Sequence, residues 1–390
     1  MSGAARQLYL VFNVGSSSVK YARFLAEAGD EPVLRDRRQA DRDAGLGGTA
    51  EVSQADQHLI ATILTEAETA EGRPVAAIGH RIVHGGRRFE ASVVIEGDVL
   101  AAMAKLGHLA PLHQPHNLMA VRALAALRPG LPQIACFDTA FHRTQNEATR
   151  RLPLPDSFFE EGLERYGFHG LSYAWVVEAL TRRLGACPKR LLAFHLGNGA
   201  SATAILEGRS VATSMGFSTL DGLMMGTRPG GLDPGVLLHL MSQGHDHASL
   251  SDLLYRRAGL LGVSGASSDM RVLQASSDPA SLRAMEMFCA RAAMVGGGLV
   301  TAMGGLDAIA FTGGIGEHSA QIRAAIARAF GYLGARLDDA ANAAHEAVIS
   351  APGSGVAIAI VPANEELVIA LAMQALLVGR ESAPTEAHEA

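Results

Sequence analysis

The chain has 390 residues, more than a single compact core usually serves, so its length predicts two domains. Apolar residues make up 48% of it and charged residues 18%, a balance typical of α/β proteins whose strands are buried on both faces. The formal net charge of −6 argues against a nucleic-acid partner, and no apolar run reaches the roughly 18 residues that a membrane span needs.

The first half, residues 1–150, begins with a predicted hairpin of two apolar strands around Gly15-Ser16-Ser17-Ser18. The charged residues 27–49 predict a surface loop, and the prolines in residues 111–117 predict irregular structure. Residues 153–159 are typical of a connector, so we place the domain boundary near residue 150. In chain order the predicted strands are 7–14, 18–25, 75–78 and 133–137, and the predicted helices include 99–109 and 117–127.

The second half, residues 151–364, repeats this plan and again contains an apolar hairpin. Its predicted elements are a helix at 173–184, strands at 190–195 and 201–206, a strand at 306–311, a glycine turn at 312–316, a helix at 319–330 and a strand at 356–361. A final helix, residues 365–380, is expected to pack back on the first domain. Residues 381–390 predict a frayed polar tail.

The two hairpins share one feature, a turn of small residues between apolar strands. Such turns, at residues 13–18 and 195–200, let backbone N–H groups approach an anion without interference from a Cβ atom. The strand–glycine–helix sequence around Gly313-Gly314-Ile315-Gly316 is a further candidate anion site. No P-loop motif occurs. This pattern favours a duplicated α/β fold that holds phosphates from two sides. Such a fold would suit a phosphoryl-transfer enzyme.

Polar side chains at the ends of apolar strands or at a helix start are the other candidates, because α/β proteins build sites there. They are Asn13, Arg81, Asp138, His195 and Glu365. Arg228 stands in a glycine-rich loop, which predicts a functional rather than a core role.

Ten short motifs, in order and covering nearly the whole chain, resemble the acetate kinase family. They occupy residues 13–20, 79–86, 109–113, 137–142, 166–170, 195–201, 222–228, 267–271, 311–317 and 364–367. The resemblance implies two duplicated ribonuclease-H-like domains, as in sugar kinases, Hsp70 and actin, with the nucleotide in the cleft between them. It also implies Mg²⁺ or Mn²⁺ as the metal, ATP and ADP as co-substrates, acetate or another short carboxylic acid as acceptor, and a homodimer.

Roles follow from the resemblance position by position. Asp138, His169 and Arg228 correspond to catalytic groups, and Asn13 and Glu365 to metal-holding groups. Arg81 corresponds to the carboxylate-binding arginine, and Val83, Leu112, Phe168 and Thr219 to the acyl pocket. The ATP site corresponds to Lys20, His195, Leu196, Gly197, Asn198, Gly199, Asp269, Met270, Arg271, Gly313, Gly314, Ile315, Gly316 and Glu317. Since a carboxylate nucleophile needs no general base, we expect Asp138 to orient other groups.

The chain departs from the family pattern at several positions. Gln114 stands where asparagine is usual, Leu171 and Tyr173 where threonine and histidine are usual, and Thr219 where proline is usual. Because one methylene in an apolar pocket changes selectivity by roughly 10–200-fold, Thr219 makes the preferred acid an open question.

Three alternatives to an acetate kinase stay open at this point. A propionate or other short-chain acyl kinase would differ in acid preference. A non-catalytic nucleotide-binding relative would bind ATP without turnover, and a phosphohydrolase of the same fold would release phosphate with no acid added. Three widely spaced cysteines predict reduced thiols, and no secretory signal is visible, so we expect a cytoplasmic protein.

Overall fold

The computed structural model describes residues 6–42, 52–111 and 113–381. It divides into two compact units, Met1–Ala140 with Asn364–Ala390, and Phe141–Ala363. The division precedes the predicted boundary near residue 150, because His142 already bonds to the second unit, with Nδ1 2.9 Å from the Ser210 hydroxyl. Of the predicted tail only Glu381 is described, and it belongs to the last helix.

Most strands of both units are buried for most of their length, whereas the edge strand β3 is largely exposed and β5 is half-buried. In chain order they are β1 (Gln7–Val14), β2 (Ser18–Ala26), β3 (Val33–Asp41), β4 (Val75–Ile82), β5 (Val93–Val94), β6 (Gln133–Phe137), β7 (Arg190–Leu196), β8 (Ala200–Leu206), β9 (Arg209–Thr213), β10 (Ala308–Thr312) and β11 (Ala357–Ile360). The first unit contains one sheet in the order β3-β2-β1-β4-β6-β5, and the second contains one in the order β11-β10-β7-β8-β9.

The two sheets follow one plan. In the first unit β1 pairs antiparallel with β2, which pairs antiparallel with β3, and on its other side β1 pairs parallel with β4, which pairs parallel with β6. In the second unit β7, β8, β9, β10 and β11 pair in the same way. The internal repeat expected from the two hairpins is therefore present in the topology.

The helices cover or connect these sheets. They are α1 (Gln54–Glu71), α2 (Val99–Lys105), α3 (Gln114–Leu127), α4 (Glu147–Arg150), α5 (Asp156–Glu160), α6 (Gly170–Leu184), α7 (Pro234–Ser242), α8 (His247–Asp252), α9 (Gly259–Ser264), α10 (Met270–Gln274), α11 (Pro279–Met303), α12 (Gly313–His318), α13 (Ala320–Arg328), α14 (Asp339–Ala343) and α15 (Glu365–Glu381). Single turns of 3₁₀ or π helix lie at Leu106–His108, Ala140–Thr144, Leu253–Arg257 and Gly331–Leu333.

Four segments differ from the prediction. Residues 33–41 of the predicted surface loop form β3, an edge strand whose charge is neutralised locally; Arg23 of β2, for example, pairs with Asp36 at 2.7 Å. Helix α3 begins at Gln114 inside the predicted irregular segment, because Pro115 lies in the first turn, where its missing N–H is not needed. Part of the predicted connector 153–159 forms α5, and the predicted glycine turn forms the short helix α12.

The last helix packs on the first sheet. A Cβ atom added to Gly79 of β4 would lie 2.6 Å from Met373 Sδ of α15, so only glycine allows the helix to come this close. This contact fixes the start of α15, and with it Glu365, beside the end of β4. No helix in the described part of the chain is long and apolar enough to cross a membrane.

In each unit, burial holds the pKa of a histidine far below its usual value. Burial lowers the pKa of His80 in the first unit, and that of His142 in the second, from 6.5 to about 4. Between these values the unfolded chain binds protons that the folded chain does not, so the melting temperature is expected to fall as the pH is lowered from about 6.5 to about 4.

His142→Gln introduces a side-chain amide that can bond to Ser210 and should make this decline shallower, whereas His245→Gln, at an exposed position, should not change it. Differential scanning calorimetry at half-unit pH steps measures both. Parallel declines for the wild type and His142→Gln would contradict the prediction.

Candidate functional site

Three polar side chains lie at one edge of the first sheet. Since β1, β4 and β6 run parallel, their carboxyl ends meet at this edge. Asn13 is near the end of β1, Arg81 near the end of β4, and Asp138 directly after β6. The first sheet thus assembles an amide, a guanidinium and a carboxylate from segments far apart in sequence.

Arg81 is the centre of an ion-pair network within the first unit. Its Nη2 lies 2.7 Å and its Nε 3.1 Å from Asp138 Oδ2, and its Nη1 lies 3.4 Å from Glu365 Oε2. Burial lowers the pKa of Arg81, but the charges of Asp138 and Glu365 outweigh that effect and raise the pKa above its ordinary value. Arg81 therefore stays a cation with a fixed orientation, which suits a fork that binds a carboxylate. Asp138 is 1% exposed and orients this fork.

Two buried amides in α3 brace this edge, and the sequence analysis missed them in this role. Asn117 donates to the Val14 carbonyl and accepts from the Val83 amide, both at 2.9 Å, and so links the ends of β1 and β4. Gln114 donates to the His84 carbonyl at 3.1 Å and accepts from the His84 amide at 3.3 Å. The available signal was the presence of amide side chains in the apolar pattern of α3.

The predicted metal-holding residues offer hard oxygen donors. Asn13 supplies an amide and is half-buried. Glu365 supplies a carboxylate whose Oε2 lies 3.4 Å from Arg81 Nη1, farther than the 2.7 Å between Asp138 Oδ2 and Arg81 Nη2. Mg²⁺ keeps several waters and usually takes one or two protein oxygens plus phosphate oxygens, so this donor set fits it. Among the described residues there is no cluster of three or more His, Cys, Asp or Glu residues that could hold a metal by itself.

In the second unit the imidazole of His169, directly before α6, stacks on the imidazole of His195 in β7. His169, directly before α6, has a left-handed backbone (φ 59°), a conformation that costs a side-chain-bearing residue about 1–2 kcal/mol. Its ring stacks on that of His195 from β7, with centroids 4.2 Å apart. His142 holds the preceding residue, since its Nε2 lies 2.9 Å from the Phe168 carbonyl oxygen. The strain is maintained by surrounding contacts, as is common at functional positions.

Arg228 and His169 converge on one glycine of the β7–β8 turn. A Cβ atom on Gly199 would lie 2.9 Å from Arg228 Nη2 and 3.3 Å from His169 Nε2, so the absence of a side chain there leaves space in front of both groups. Burial lowers the pKa of Arg228, partly offset by Tyr255. Arg228 donates to the Thr219 carbonyl at 2.8 Å. The loop that carries Arg228 is held by backbone hydrogen bonds, such as Gly226 to Asn198 at 3.1 Å, and is less flexible than its glycines suggest.

A cavity of about 400 Å³ adjoins the same turn. It is lined by Gly197, Asn198, Ser268, Asp269, Met270, Arg271, Gln274, Gly314, Ile315, His318 and Ser319. Seven of the predicted ATP-site residues are in this set. Asp269 caps α10 and pairs with Arg271 at 2.6 Å. Buried Arg323, which the sequence analysis did not select, donates to the carbonyls of Gly316 and Glu317 at 2.9 and 2.8 Å and fixes the end of α12.

The remaining predicted residues lie elsewhere. Lys20 is an exposed residue of β2 in the first unit, and Glu317 accepts from the Ala363 amide at 3.0 Å. The cavity lining does not include the other predicted ATP-site residues, His195, Leu196, Gly199, Gly313 and Gly316. Of the predicted acyl-pocket residues, Val83 is buried in the first unit, Phe168 and the half-buried Thr219 are in the second, and Leu112 is outside the described residues.

Two copies of one sheet plan, one bearing a glycine turn with an adjoining cavity, define the duplicated α/β fold of actin-like ATPases. Comparison with known proteins agrees. The sequence profile of the Acetokinase family matches residues 8–371. An acetate kinase of Nitrobacter hamburgensis is 43% identical over 97% of this chain and 98% of that protein.

Solved structures give the same assignment. A crystal structure of Porphyromonas gingivalis acetate kinase has a TM-score of 0.82 at 35% identity, covering 95% of this chain and 100% of that one. A propionate kinase from Francisella tularensis has a TM-score of 0.83 at 34% identity, covering 94% and 98%. The chain belongs to the acetokinase family, whose members are phosphotransferases with a carboxyl group as acceptor.

Proposed function

We propose that this protein is an acetate kinase that transfers the γ-phosphoryl group of ATP to acetate, reversibly, giving acetyl phosphate and ADP. The observation that carries the proposal is the convergence of Arg228 Nη2 and His169 Nε2 on Gly199, next to the cavity-lining residues Gly197 and Asn198. Acetate and the γ-phosphoryl group are both anions, and donors fixed in advance stabilise the charge that develops during transfer.

The first unit supplies the acceptor side in this proposal. The Arg81 fork binds the acetate carboxylate, and Asp138 keeps the fork in place without abstracting a proton. Asn13 and Glu365 are the residues that would hold Mg²⁺, which when bound neutralises phosphate charge. In the second unit the cavity-lining residues bind the nucleotide.

The proposal is tested by acyl-hydroxamate formation from ATP, Mg²⁺ and hydroxylamine with acetate, propionate, butyrate or no acid. We expect signal with acetate, none without acid, and no phosphate release beyond that from acyl phosphate. Protein that binds ATP but gives no signal with any acid would be a non-catalytic relative. Phosphate release in the absence of acid would indicate a hydrolase.

Thr219 tests acid preference. Thr219→Pro retains the carbonyl that accepts from Arg228 and introduces the residue usual in the resembled pocket, so the ratio of kcat/KM for acetate over propionate is expected to rise about 10-fold. Thr219→Val, which replaces the hydroxyl with a methyl group of similar size, is the matched control and should leave the ratio nearly unchanged. Equal ratios in the wild type and Thr219→Pro would assign the acid preference to other residues.

We infer a homodimer formed through α7. This helix is apolar, yet all of its residues are exposed or half-exposed, including Leu238 at 68% and Met241 at 57%, which is unusual for a monomer surface. The double variant Leu238→Glu/Met241→Glu is expected to have the mass of one chain by light scattering. Val348→Glu, at another exposed apolar residue, should keep the wild-type mass. A double variant with the mass of two chains would exclude α7 as the interface.

A further inference from the structure

Tyr173 is connected to His169 through one buried hydroxyl group. Its phenol oxygen lies 2.5 Å from Ser201 Oγ, which in turn lies 2.8 Å from His169 Nδ1. Tyr173 and Ser201 are both fully buried. Tyr173 is in the first turn of α6, where its backbone amide donates to the His169 carbonyl at 3.1 Å. The phenol, the serine and the imidazole therefore form one continuous chain of hydrogen bonds.

The chemistry of the three groups sets the direction of this chain. A phenol is a stronger donor than an alcohol, and an imidazole nitrogen is a stronger acceptor than a phenol oxygen. Burial raises the pKa of Tyr173 to about 12, so the phenol keeps its hydrogen at neutral pH. When Tyr173 donates to Ser201, the single hydroxyl hydrogen of Ser201 is directed to His169 Nδ1, and hydrogen bonds in such chains strengthen one another.

We propose that Tyr173 is a positioning residue that, through Ser201, fixes neutral His169 in the tautomer with its hydrogen on Nε2. That nitrogen is the one on the Gly199 side, where Arg228 Nη2 also lies. Stacking on His195, itself held by the Ser172 hydroxyl 2.8 Å from its Nδ1, keeps the plane of the His169 ring fixed. The result is a second N–H donor beside Arg228, oriented before the nucleotide binds. The role in turnover rests on the proposed function.

The test is Tyr173→Phe, which removes one hydroxyl and keeps the ring. Its kcat is expected to fall about 3–10-fold, which corresponds to the net worth of one hydrogen bond, with KM for ATP unchanged. ¹⁵N–¹H NMR correlations of His169 report the tautomer directly. The wild type should show hydrogen on Nε2 alone, and Tyr173→Phe a mixture of both tautomers. Ser201→Ala should show the same mixture, and remains informative if Tyr173→Phe does not fold.

Tyr166→Phe is the matched control, because this buried phenol donates to the Gly162 carbonyl at 2.8 Å instead of to Ser201. It should keep the wild-type kcat and His169 spectrum. A wild-type His169 with hydrogen on Nδ1 or on both nitrogens, or variants with an unchanged spectrum, would overturn the inference while leaving the proposed reaction intact. A wild type without acyl-phosphate formation would overturn the proposed reaction, and the spectra would still decide the tautomer.

Discussion

Arg228→Ala is expected to lower kcat by about 10³–10⁵-fold, or about 4–7 kcal/mol of transition-state stabilisation, with little change in folding. The rate should fall because, in the proposed function, this guanidinium beside Gly199 stabilises the transferring phosphoryl group. Little change in folding is expected, because the lost hydrogen bond to the Thr219 carbonyl is offset by the removal of a cation whose burial disfavours its charge. Steady-state kinetics and the melting temperature of the same preparation measure both effects.

The matched control for Arg228 is Arg183→Ala. Arg183 belongs to the same unit and also donates to backbone carbonyls, those of Ala347 and Ile360, but it lies at the end of α6 away from the Gly199 turn. It should keep nearly all of the turnover. An Arg228→Ala protein that retains more than a tenth of the wild-type kcat would exclude the catalytic role.

Arg81→Ala is expected to have two separable effects. Asp138 is 1% exposed and would lose the charge of Arg81 beside it, which destabilises the first unit by about 3–5 kcal/mol. Loss of charge-assisted hydrogen bonds to the acceptor should raise the KM for acetate by about 10–100-fold. Thermal unfolding and acetate titrations at saturating ATP measure the two effects.

The double variant Arg81→Ala/Asp138→Asn separates stability from binding. Removing both charges of a buried pair costs much less than removing one, so this protein should recover part of the lost stability. Its KM for acetate should stay high, since the fork is still absent. If the double variant recovers the wild-type KM for acetate, Arg81 does not bind the acceptor. If Arg81→Ala has the same melting temperature as the wild type, the ion pair does not stabilise the fold.

The sequence predicted the elements whose residues carry a strong local pattern. Both hairpins, strands β4, β6 and β10, and α6 lie close to their predicted positions, because buried strands are continuous apolar runs and glycine-rich turns interrupt them. The prediction of a surface loop at β3 was wrong. The sequence of β3 has no apolar face, and its pairing with β2 depends on Arg23, Asp36 and their neighbours. The first turn of α12 was also missed, because three glycines disfavour a helix in isolation.

For the candidate site, too, the sequence did not predict contacts between segments that are far apart in the chain. Arg81 and Asp138 were selected separately as strand-end residues, but their ion pair joins positions 57 residues apart, and no local pattern encodes it. The link made by Asn117 between β1 and β4, and the hydrogen bonds from Tyr173 through Ser201 to His169, depend equally on distant segments.

By itself the sequence determined the class of fold and its internal repeat, and it singled out candidate site residues, because strand burial, turn chemistry and short motifs are local properties of the chain. The tertiary structure alone decided which of these residues lie close together: Arg81 with Asp138 and Glu365, His169 and Arg228 at Gly199, and Asp269 with Gly314 around one cavity. The physical reason is that charge pairing and donor convergence act over a few ångströms in space. Only the packed sheets bring such distant positions within that range.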